Sequence, residues 1–159
     1  MMSAKRTIAI LIVTGVLLVL FGSLHPDNAL ADEKSIVGSW VVQVTILSPP
    51  DIPPSTALVT YTKDHTVINT DGPTGGTGHG AWKKVEDRTF ALKFLTLVSP
   101  SFNLPFPPLS TITTSADLIL NEEGDEITGS FQAVVTDPTG AILVAADGTM
   151  IQTRITVDP

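Results

Sequence analysis

From residue 38 to the end of the chain, apolar and polar residues alternate in eight separate stretches, with turn residues between them. A period of two places successive side chains on opposite faces of an extended backbone, so the stretches read as half-buried strands rather than helices. In the first, Trp40, Val42, Val44 and Ile46 share a face against Ser39, Gln43 and Thr45. The second runs over about 56–62, the third over 66–70 and the fourth over 78–84. In the fifth, Phe90, Leu92 and Phe94 oppose Lys93; in the sixth, Ile112, Ala116, Leu118 and Leu120 oppose Thr111, Thr113, Ser115 and Asp117. The seventh sets Ile127, Phe131, Ala133 and Val135 against Thr128, Ser130, Gln132 and Thr136. The eighth runs to Val157, with a bulge or turn expected at Asp147-Gly148.

The connections alternate in character. Lys63-Asp64-His65, Val85-Glu86-Asp87 and Glu122-Glu123-Gly124-Asp125 are short charged turns. Between them stand the proline-rich run Ser48 to Pro54, the glycine-rich run Asp71 to Thr77, the run Ser99 to Leu109, and the tighter Asp137-Pro138-Thr139-Gly140. Alternate connections of an up-and-down meander lie at opposite ends of the sheet. The pattern therefore predicts an all-β, single eight-stranded antiparallel barrel with short turns at one end and longer loops around the other. Eight strands close on an interior that side chains fill or that holds one small ligand. An open sandwich is the alternative.

Ahead of this domain, Lys5 and Arg6 precede an apolar run from Thr7 to about Phe21, and Asn28-Ala29-Leu30-Ala31 ends the segment. That order predicts a signal peptide over 1–31, cut after Ala31, and a secreted or periplasmic barrel domain over 32–159. An apolar core of roughly 15 residues is short of the roughly 20 that a membrane span needs, so no stable membrane anchor is expected after cleavage. The chain has no cysteine, which excludes disulfides and leaves burial to hold the domain. Removing the positive Lys5 and Arg6 and the negative Asp27 takes the formal net charge from −7 to −8, which disfavours nucleic acid as a partner.

Gly38-Ser39-Trp40 at the head of the first strand resembles the Gly-x-Trp pattern of lipocalins and the wider calycin group. The resemblance implies that Trp40 closes the barrel floor and that a basic residue of the last strand, here Arg154, packs across it. Gly76-Thr77-Gly78-His79-Gly80-Ala81-Trp82, followed by Asp87-Arg88-Thr89-Phe90, also resembles a pattern of small secreted bacterial lipocalin-like proteins.

The residues favour a binding module for a small hydrophobic ligand, entered between Ile52, Phe102, Leu104 and Phe106, with Phe94 inside. The loop Ser101 to Leu109 carries Phe102, Leu104 and Phe106 among three prolines, a composition that suits an apolar contact surface or a lid. A barrel enzyme of cyclase or isomerase type and a non-catalytic protein-interaction module are the alternatives. Among catalytic groups only His79 is a candidate, and strict alternation sets it on the face opposite Trp82. His65 reads as a turn residue and His25 falls in the removed segment. Two histidines supply no metal site, since zinc takes three or four protein ligands. The acidic run Glu122 to Glu126 lacks the spaced ligands of a calcium loop. Trp40, Trp82, Phe90, Phe94 and Phe131 read as core rather than as a cofactor cavity, so no cofactor is expected.

Overall fold

Strands β1 (Gly38–Ser48), β2 (Ser55–Tyr61), β3 (Thr66–Asp71), β4 (Thr77–Lys84), β5 (Thr89–Leu97), β6 (Thr111–Leu120), β7 (Glu126–Thr136) and β8 (Ile142–Arg154) follow one another along the chain. They are seen in a computed structural model that describes residues 35–72, 76–98 and 106–157. The segment read as a signal, 1–31, lies outside the described residues. Each strand pairs antiparallel with the next, and β8 returns to pair with β1, closing the barrel. Closure gives every strand two partners, so no sheet edge is left open.

The alternation decides which side chains fill the barrel. Trp40 and Val42 of β1, Val59 and Tyr61 of β2, Val67 of β3, Phe90 and Leu92 of β5, Leu118 and Leu120 of β6 and Ile127 of β7 are all buried. Taking a side chain of this size out of water contributes about 1.5–3 kcal/mol. The fully buried side chains Ile36, Trp40, Tyr61, Phe90, Leu120 and Ile127 all lie near the end formed by the three short turns, so the closed end carries the densest core.

Glycines on β4 set the curvature of the wall. A methyl group at Gly80 would stand 2.0 Å from the carbonyl oxygen of Lys93 and 2.4 Å from Phe94 Cα. Only a residue without Cβ lets β4 and β5 come this close. The Phe94 ring lies over the neighbouring Gly78, filling space that a side chain there would take.

Two details differ from the sequence expectation. The last strand ends at Arg154 instead of Val157: the paired ladder stops at Trp40 on β1 and Glu126 on β7, and past it Ile155 N–H donates to the Ser39 carbonyl at 2.9 Å. The irregularity expected at Asp147-Gly148 falls across from it: β8 passes through these two residues without a break, and the register shifts between Ile46 and Ser48 of β1. Leu47 is the extra residue, bulged outward and exposed.

Candidate functional site

The site is built from the closed end upward. Trp40 Nε1 donates to the carbonyl oxygen of Ile36 at 2.9 Å, which satisfies the indole inside a fully buried position. Arg154 lies over the Trp40 ring, with Cζ 4.3 Å from the centroid. Its guanidinium donates to the carbonyls of Gly124 (2.6 Å), Val37 (2.8 Å) and Ser35 (2.7 Å). One planar cation thus ties the segment before β1, the β6–β7 turn and the end of β8 into a floor. Gly38 stands in this clamp at φ +140°, and a Cβ there would sit 2.9 Å from the guanidinium.

A second aromatic group completes the floor. Trp82 meets Tyr61 and Phe90 edge-on, at 6.4 and 5.9 Å between centroids, and its Nε1 donates to the Thr62 carbonyl. His65, in the left-handed conformation at φ +66°, lies against Trp82 from the turn outside.

Above this floor the barrel is hollow. A cavity of about 190 Å³ occupies its upper half, on the side away from the three short turns. Its apolar wall comes from β1, β7 and β8, chiefly Val42, Val44, Ile46, Phe131 and Met150. The other side, from β3, β5 and β6, presents Asn69, Asp71, Thr96 and Thr114 beside Leu92 and Phe94. Tyr61 and Gln152 line the bottom: the phenol donates to Gln152 Oε1 at 3.1 Å, and Gln152 Nε2 points to Met150 Sδ at 3.3 Å. Burial pushes the Tyr61 hydroxyl well above its ordinary value, and the bond to Gln152 opposes this only in part. Tyr61 thus serves the fold as a buried hydrogen-bond donor to Gln152.

The rim of the open end is apolar on its outer side. Leu47, Ile52, Leu97, Leu109, Ile142 and Leu143 are all exposed there. Leu109 holds φ +66°, a conformation that L-residues with bulky side chains seldom adopt. A wider depression of about 560 Å³ lies on the outer wall over Ala91, Ser115, Ser130 and Asp147, where small side chains leave the sheet thinly covered.

The residues expected at the site divide. Phe94 lines the cavity. Ile52 sits on the β1–β2 loop, 41% exposed, and does not reach the cavity wall. Phe106 is half-buried in the β5–β6 connection and is likewise not part of that wall, while Phe102 and Leu104 lie outside the described residues. His79 is exposed on the outer face of β4, so it does not enter the cavity. The polar lining, Asn69, Thr96, Thr114 and Gln152, went unread in the sequence. The signal was there in parity: Thr114 shares the even register of Ile112 and Ala116, Thr96 that of Phe94, and Asn69 the odd register of Val67.

No protein-family model, no curated protein and no solved structure matches the chain.

Proposed function

We propose that this protein is an extracytoplasmic binding module that carries a small, largely apolar ligand inside a lipocalin-like barrel. The observation that supports it most is the cavity of about 190 Å³ above a sealed floor. An apolar protein cavity of about 150 Å³ accepts a molecule the size of benzene. By that scale the space here suits a ligand body of roughly six to ten heavy atoms. The open end gives entry, and apolar side chains supply most of the contact. The floor clamp of Gly38, Trp40 and Arg154 supports the lipocalin-like reading, and the segment before the barrel supports export. The exposed position of His79 favours binding over catalysis.

Toluene, followed by saturation-transfer NMR, tests the reading. Toluene is expected to bind the wild-type protein and to lose binding in Ala57→Phe, which puts a ring into the cavity from β2. Absence of toluene binding, or equal binding by a folded Ala57→Phe variant, would overturn it.

A further inference from the structure

The cavity is not uniformly apolar, and its polar groups are unspent. Asn69, Thr96 and Thr114 are each more than nine-tenths buried, at 7%, 6% and 8% exposure. Among the described residues, none of the three side chains has a hydrogen-bond partner, and all three line the cavity. Register places them together. Asn69 on β3 pairs with Gly78 on β4, and Gly78 pairs with Thr96 on β5. The glycine leaves no side chain between Asn69 and Thr96, and Thr96 Oγ1 leans across it: a methyl group at Gly78 would lie only 2.5 Å from that oxygen. Thr114 stands one diagonal step away, paired with Phe94. The result is a polar arc on β3, β5 and β6 facing the apolar wall of Val44, Phe131 and Met150.

Charge narrows the choice further. Among the described residues, no Lys, Arg or His lines the cavity, and Asp71 is part of its wall. The connections 49–54, 72–76, 98–110 and 137–141 contain Asp51 and Asp137 but no Lys or Arg. The described basic residues, Lys63, Lys83, Lys84, Arg88, Lys93 and Arg154, lie from mid-barrel to the closed end. An anion entering this mouth would meet like charge and then give up its hydration without a cation to pair with, a cost of several kcal/mol in general. A hydrocarbon would displace water from Asn69, Thr96 and Thr114 and leave buried polar groups unpaired. Asn and Thr side chains both donate and accept, so they match a neutral group that does either.

We infer that the ligand is an uncharged amphiphile: a small apolar body bearing one hydroxyl, carbonyl or amide group, which seats on Asn69, Thr96 and Thr114. This rests on the reading of the barrel as a binding module and names the class of molecule it takes. Anionic lipids such as fatty-acid carboxylates are rejected.

The test uses three molecules that share one ring, namely cyclohexanol, cyclohexane and cyclohexanecarboxylate, titrated into the purified protein at pH 7 and followed by NMR. Cyclohexanol is expected to bind at least tenfold more tightly than either of the others. Thr96→Val, Thr114→Val and Asn69→Leu are each expected to weaken cyclohexanol about three- to tenfold and to strengthen cyclohexane. Because these side chains hold no partner among the described residues, the variants are expected to keep or raise the melting temperature. Carboxylate binding equal to that of the alcohol would overturn the inference and leave the binding module standing. So would an alcohol preference that survives all three substitutions. If none of the three molecules binds and toluene does not bind either, the binding module itself falls.

Discussion

Replacing Arg154 by Met removes the guanidinium while keeping an unbranched side chain against Trp40. Three hydrogen bonds are lost, to the carbonyls of Ser35, Val37 and Gly124, together with the cation over the indole. A hydrogen bond involving a charged group contributes about 1.5–3 kcal/mol when well buried. Arg154 is only half-buried, so water can reach the abandoned carbonyls and about 1 kcal/mol each is the better figure. The cation over the ring adds about 0.5–1 kcal/mol in such a setting. The total is about 3–4 kcal/mol. A domain of about 120 residues has a melting entropy near 0.25 kcal/mol/K, so Arg154→Met is expected to lower Tm by about 12–16 °C. Far-UV circular dichroism gives the melting curve, and the near-UV signal of the tryptophans reports on the floor directly. Arg154→Lys is expected to recover little, since one ammonium cannot span three carbonyls that a planar fork reaches together. A fall of less than about 4 °C in Arg154→Met, with an unchanged near-UV spectrum, would show that the clamp does not hold the floor.

Tyr61→Phe leaves Gln152 Oε1 buried without its donor and is expected to cost about 1–3 kcal/mol, measured by urea denaturation with the slope unchanged. Asp137 accepts from the Thr139 hydroxyl and from the Ala141 and Thr139 backbone, which holds its carboxyl below the ordinary value. A carboxyl lowered in the folded state stabilises fully above the unfolded value, about 3.9, and that contribution fades as pH falls through the folded one. Asp137→Asn is therefore expected to melt lower than wild type at pH 6, with the gap narrowing as pH falls below the unfolded value of about 3.9; a gap that does not narrow on acidification would refute this.

Strands and their order were legible because each carries enough apolar residues on one face to show the period, as Trp40, Val42 and Val44 do. The lengths of the turns then placed the closed end correctly. The cavity's chemistry was harder, for a physical reason. A reading that follows hydrophobicity passes over Thr114 and Asn69, since a polar residue on the inward register looks like an interruption and not like a member of the face. Ile52, exposed on the β1–β2 loop, shows what loops withhold. A loop has no fixed period, so its apolar character says nothing of where the side chain points. His79 was read outward from alternation alone, and the structure places it there. The outward swing of Leu47 was displaced by one strand, because a bulge breaks a pair of strands and sequence shows only one of them at a time.

The Arg154 clamp also brings the segment just before β1 and the end of β8 within one side chain of each other. Ser35 and Val37 on one side and Arg154 on the other are joined by bonds of 2.7–2.8 Å. With β8 paired to β1, the eight strands form a cyclic order in which no strand is first. A short peptide could link the ends across the floor, and new ends could be opened in the proline-rich β1–β2 loop, without changing any neighbour. In strand connectivity the barrel is thus a ring, held shut at the β8–β1 seam by one guanidinium.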